Sequence, residues 1–176
     1  MRWDDLFADM EHQLDAAAVQ DRADQVAELT RTERASVTLV DRLRAQAGSP
    51  LVLELRGGER LRGAVADVAA SWLLLVDDRR EHLVPVRAVA AVEGLVAASV
   101  PPTLLARRLG LGHALRAVAR DRAVVRVVAG STVLVGRVDG VGADHLDVAL
   151  VHTDSGRPTG QVRVVPFDAL ERVTSA

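Results

Sequence analysis

The chain has 176 residues, of which 49% are hydrophobic and 26% charged, and its formal net charge is −2. That length holds one domain or two very small ones, and the charge balance excludes a strongly basic nucleic-acid coat. With no cysteine there is no disulfide framework, thiolate metal site or thiol nucleophile, a composition that fits the cytoplasm.

From Trp3 to residue 47 the apolar spacing is helical: Trp3, Phe7, Met10 and Leu14, then Val26 and Leu29, then Val40 and Leu43, until Gly48 and Pro50 stop it. β-branched and hydroxyl residues between positions 30 and 38 predict a kink or a division into two helices. The stripe of Trp3, Phe7 and Met10 is expected to dock on the body of the protein or to form a seam with a partner or a second chain. The first 48 residues hold ten acids and six Arg. The opening MRWDDLFADME is acidic and amphipathic where a signal peptide would be basic and then apolar. Asp67, Glu93 and Pro101-Pro102 interrupt the longest apolar stretches before any reaches the roughly 20 residues of a membrane span.

Leu51, Leu53 and Leu55 alternate with Val52, Glu54 and Arg56, as in a half-buried strand, and Gly57-Gly58 predicts a tight hairpin with both glycines at positive φ. Gly63 marks a bend or close backbone approach in the second strand. Residues 72–76, WLLLV, are apolar on both faces and predict a central strand covered on each side. Residues 83–85 and 89–95 complete five short strands, with Pro85 at a strand end because it cannot donate a ladder hydrogen bond.

After Pro101-Pro102, residues 103–121 read as a second helix with Leu104, Leu111, Leu115 and Val118 on one face. Residues 101–123 carry five Arg and one Asp, opposite in sign to the first 48 residues, so the two segments are expected to attract. His113, Arg116 and Arg120 form one stripe, with Arg107 and Arg108 nearby, suited to phosphates or simply to solvent. With 2% aromatic residues there is little material for base stacking, so any nucleic acid would be held by its backbone.

The chain then repeats itself. Gly63 and Gly136 lie 73 residues apart, and the same offset sets Gly57 on Gly130, Leu61 on Leu134, Val65 on Val138, Val68 on Val141 and Leu73 on Leu146. Pro85 and Pro166 lie 81 apart, the eight extra residues being supplied by the turn-rich HTDSGRPTG at 152–160. An offset of 72 sets Leu43 on Leu115 and Arg44 on Arg116, so each copy is expected to own the helix before it.

A helix followed by five strands, with LRGGERLRG setting Gly58 five residues before Gly63 and apolar residues at Val65 and Val68, resembles the Sm and Sm-like family of small β-barrels. VPVRAVAAV at 84–92 resembles the frame of the second motif of the bacterial Sm-like RNA chaperone Hfq. The resemblance covers residues 49–100 and 124–173 and implies an α+β chain: a helical segment (1–48), an Sm-like five-strand barrel (49–100), a basic connecting helix (101–123) and a second barrel (124–176). Where Sm proteins place base-holding Asp and Asn, this chain has Ala69 and Leu73, then Gly142 and Leu146. Where the Hfq-like motif has Tyr-Lys-His, it has Pro85, Val86 and Arg87, then Pro166, Phe167 and Asp168, leaving Arg87 to meet a phosphate. All 22 basic residues are Arg, and Lys, Ile, Asn and Tyr, with their AT-rich codons, are absent. That bias points to a high-GC bacterium and agrees with a resemblance to actinobacterial proteins opening MRWDxLFADxE.

His145, Asp147, His152 and Asp154 are the one metal-like group, but alternation on a strand and a polar turn separates them, so no metal or cofactor is expected. No catalytic triad, phosphate loop or paired carboxylates can be assembled, and Ser71 reads as a turn residue. The expected function is a non-catalytic binding or scaffolding module, contacting RNA weakly and without specificity through phosphates. Its rivals are a protein-interaction or self-assembly unit using the fourth and fifth strand edges, and a DNA-binding regulator using the basic helix. An enzyme ranks last.

Overall fold

The computed structural model describes residues 28, 35–101, 103 and 109–175. Trp3, Phe7, Met10, Arg107 and Arg108, and with them the expected seam and residues 1–27 and 29–34 of the acidic segment, lie outside the described residues. The chain divides into two compact units, Met1–Thr38 and Leu39–Ala176, and every described strand belongs to the second. No helix among the described residues is long and apolar enough to cross a membrane.

The second unit begins with α1 (Leu39–Ala45), β1 (Pro50–Leu55), β2 (Arg60–Val68), β3 (Trp72–Asp77), β4 (Arg80–Pro85), a 3-10 turn (Val86–Ala88) and β5 (Val89–Glu93). The same series follows again as α2 (Leu111–Asp121), β6 (Val125–Ala129), β7 (Thr132–Val141), β8 (His145–Val151), β9 (Pro158–Pro166), a 3-10 turn (Phe167–Ala169) and β10 (Leu170–Ser175).

All ten strands join in one antiparallel sheet of order β5-β1-β2-β3-β4-β10-β6-β7-β8-β9. The expected α+β class and the two five-strand series are present, but as halves of one sheet. The sheet is continuous and not closed on itself, although each half keeps the order fifth, first, second, third, fourth. The physical reason is edge satisfaction: the unpaired backbone of β4 accepts β10, which removes one free edge from each half.

Repetition holds at the level of single residues. β2 bulges between Val65 and Asp67 and β7 between Val138 and Gly140, 73 residues on. A Cβ on Gly63 would stand 2.7 Å from the Val76 carbonyl oxygen, and one on Gly136 would collide with the equivalent oxygen of Ala149. Both glycines therefore permit the same close approach of neighbouring backbone. In the first strand the offset is 74, because Leu53 faces Leu61 and Val127 faces Leu134. The cause is the turn, one residue shorter in the second half. Of the two glycines in the first turn only Gly58 has positive φ (83°), so Leu55 and Glu59 are joined by a longer loop than a two-residue hairpin.

Each half encloses its own core. Leu43 of α1 lies with Leu51, Leu53, Leu61, Leu73 and Val84 in the first. Leu111 and Leu115 of α2 lie with Val127, Val138, Leu146 and Val165 in the second. Leu43 and Leu115 are both fully buried, and α1 packs on β2 as α2 packs on β7, so each half owns the helix before it. β3 is apolar on both faces because it separates the cores: Leu73 and Leu75 enter the first, while Trp72 and Leu74 join the second.

Candidate functional site

The joint between the halves is the most elaborated polar region of the sheet. β10 meets β4 with Val173 opposite Leu83 and Thr174 opposite His82. Buried His82 contacts Thr174 Oγ1 through Nδ1 and Asp77 Oδ2 through Nε2, each at 3.0 Å. Asp77 can only accept, which places a proton on Nε2, and that hydrogen bond lowers the Asp77 carboxyl below its ordinary value. Buried Arg172 reaches Glu59 of the β1–β2 turn at 2.7 Å. Burial pushes its guanidinium down from the ordinary value, and the Glu59 charge opposes the shift. Arg87 and Asp168, which hold the same place in the two 3-10 turns, meet across the joint at 3.2 Å.

Among the described residues two strands end the sheet with one edge unpaired, β5 and β9. They are the same two kinds of edge that β10 and β4 bring together inside the chain. β10 is buried along nearly its whole length, whereas its counterpart β5 is half-buried to exposed. Leu83 of β4 is 5% exposed, whereas its counterpart Val164 of β9 is 62% exposed, with Val162 also uncovered. An open groove lined by Thr132, Leu134, Arg163, Val164, Pro166 and Ala169 occupies the place on the second half that β10 fills on the first.

His113, Arg116 and Arg120 stand exposed on α2, opposite buried Leu111 and Leu115 and half-buried Val118, as the spacing predicted. The helix is anchored to the first half by Leu111 N–H donating to Ser71 Oγ (3.0 Å) and Trp72 Nε1–H donating to the Leu109 carbonyl (3.0 Å). Arg116 and Arg120 share an open depression with Arg122, Asp139 and Gly140. Sequence periodicity missed Arg122, which leaves the helix in the left-handed region (φ 54°), and Arg137, which donates to the Arg122 carbonyl at 3.1 Å.

The other predicted positions are occupied by packing. Ala69, Leu73 and Leu146 are buried, and the His145 ring covers Gly142. Arg87, read from the sequence as a phosphate contact, is engaged by Asp168. His145 and Asp147 lie on β8 and His152 and Asp154 beyond its end, and among the described residues no group of three or more acids and histidines is placed to hold a metal ion. His145 instead hydrogen-bonds Asp144 at 2.8 Å, which raises the imidazole and lowers the carboxyl from their ordinary values. The chain matches no protein-family model, and no curated protein matches it.

Proposed function

We propose that this protein is a non-catalytic, Sm-like scaffolding module: two small barrel-type units fused edge to edge, whose outer edges join one chain to the next. The observation that supports this reading is the β4–β10 joint, an internal example of the contact proposed here for the β5 and β9 edges. A head-to-tail contact of this kind leaves new free edges at each step, so it builds rings or filaments. Sedimentation of the full chain over a wide concentration range tests it. Species at multiples of 18.8 kDa are expected, and a monomer at every concentration would end the reading.

The depression beside α2 favours a second activity of the same scaffold, weak contact with the phosphates of RNA. Arg116, Arg120 and Arg122 converge there with a single acid, Asp139, among its lining residues. About three phosphate contacts on a single strand give a log-log salt slope near −2, and replacing Arg116 and Arg120 by Ala reduces its magnitude by roughly 1 to 1.5. Titration of labelled RNA at several salt concentrations decides it, and absence of binding at low salt removes this activity while leaving the scaffold intact.

A further inference from the structure

We propose that the two outer edges recognise each other by charge, Arg163 of one copy opposite Glu93 of the next and Asp168 opposite the next copy's Arg87, so that the occupant of each edge is the unlike edge of a second copy of this chain. This rests on the assembly reading above and adds the residues that give it direction.

The pairing follows from register. Val92 faces Leu53 in the first half as Val173 faces Val127 in the second, so Val92 and Glu93 are the counterparts of Val173 and Thr174. On the other edge His82 and Leu83 face Leu75 and Leu74, as Arg163 and Val164 face Val148 and Asp147. Repeating the internal joint between two copies therefore sets Val92 opposite Val164 and Glu93 opposite Arg163. The pair Thr174 and His82 is replaced by Glu93 and Arg163, an acid and a base. Independently, Arg87 and Asp168 already meet at equivalent positions of the two turns. The repeated joint sets Asp168 of one copy near Arg87 of the next, again with opposite signs, each side chain being shared with its partner in its own chain.

Why charge should carry recognition here is visible in what the second half gave up. Trp72, Leu74 and Leu83 enter the core of the second half, but at their counterparts stand His145, Asp147 and Val164. The outer face of β8 and β9 is thus less apolar than the face sealed inside the chain, as it must be to stay in water unpartnered. Less apolar drive leaves more of the selectivity to charge, which steers association and rejects wrong partners. A joint between two like edges, centred on these residues, would bring Glu93 to Glu93 or Arg163 to Arg163, so the unlike pairing is favoured. Glu93 pairs with Arg60 of its own chain at 2.7 Å, both side chains exposed, so in the proposed joint Arg163 of the other copy shares this carboxylate with Arg60.

The test uses the full chain and its variants R163E and E93R, followed by sedimentation at low and high salt. Each variant alone places like charges at every joint and is expected to raise the dissociation constant at least about tenfold. An equimolar mixture restores opposite charges at every joint and should recover wild-type assembly to within about threefold. Wild-type assembly should also weaken at high salt. Variants that assemble as well as wild type, or a mixture no better than its components, would overturn the charge pairing while leaving the scaffold reading in place. A wild-type chain that never assembles overturns both. Melting curves check that the exposed substitutions leave the fold intact. If either reversal unfolds it, R163Q and E93Q replace them, with a weakening of about threefold expected and no weakening counting against the pairing.

Discussion

Adding one methyl group to Gly136 tests the close backbone approach on which both halves depend. In Gly136→Ala the new Cβ would collide with the Ala149 carbonyl oxygen and lie 2.9 Å from Val148 Cγ1, with the carbonyl carbon of Ala149 at 3.0 Å. The oxygen belongs to backbone in the β7–β8 ladder, so relief requires the strands to part. Overpacking of this kind costs about 1 to 3 kcal/mol. For a chain of this size 2 kcal/mol lowers the melting temperature by roughly 4 to 8 °C. Gly63→Ala should behave alike, because its Cβ would meet the Val76 carbonyl oxygen at 2.7 Å. Gly112→Ala is the control: its nearest neighbours stand at 3.6 Å or more on α2, and Ala in a helix gains roughly 0.5 to 1 kcal/mol over Gly. Differential scanning calorimetry of the three variants gives the answer. A Gly136→Ala protein that melts at or above wild type would refute the equivalence of the two approaches and the steric reason for it.

Other consequences are equally open to measurement. Leu43→Ala and Leu115→Ala each empty a fully buried, equivalent site and should each cost about 2 to 5 kcal/mol in chemical denaturation; a loss confined to one of them would deny that each half depends on its own helix. Glu59→Ala strands the buried Arg172 guanidinium and should cost about 1 to 2 kcal/mol, the half-exposed Glu59 tempering the penalty, while Glu59→Ala with Arg172→Met should recover most of it. For the His145–Asp144 pair, the raised imidazole contributes stability that is complete below its ordinary value near 6.5 and is lost as pH rises through the raised one. The lowered carboxyl contributes stability above about 3.9 that is lost as pH falls through the depressed value, so the pair acts most fully between roughly pH 4 and 6.5. Proton NMR should find His145 titrating above its ordinary value, and Asp144→Asn should bring it down; an unmoved midpoint would contradict the hydrogen bond.

Much of the internal symmetry was legible because it is carried by residues with strong backbone meaning. Gly63 and Gly136, Pro85 and Pro166, and the helix positions of Leu43 and Leu115 repeat at fixed offsets, and each pair takes the same structural place. The stretch at 72–76 announced a strand covered on both faces. What covers it was not legible, because hydrogen bonding between β4 and β10 is a contact between distant parts of the chain that leaves no local spacing. Its trace was compositional: Trp72 and Leu74 in the first half against His145 and Asp147 in the second mark one face as internal and the other as open. The offset of 74 in the first strand was hidden because identical glycines fill a longer and a shorter turn. Of the basic surface, helical spacing found His113, Arg116 and Arg120, while Arg122 and Arg137 are brought there by the helix end and by β7, which periodicity does not register.

Directed cross-linking tests head-to-tail joining of the edges, and the absence of cysteine from the chain gives it a clean background. One preparation carries Val92→Cys on β5 and another Val164→Cys on β9. Under mild oxidation the mixture should give a covalent dimer of twice 18.8 kDa, and neither preparation alone should do so, because the proposed joint pairs unlike edges only. Dimers forming equally in the separate preparations, or none forming in the mixture at concentrations where the wild-type chain sediments as a multimer, would contradict head-to-tail joining of β9 to β5.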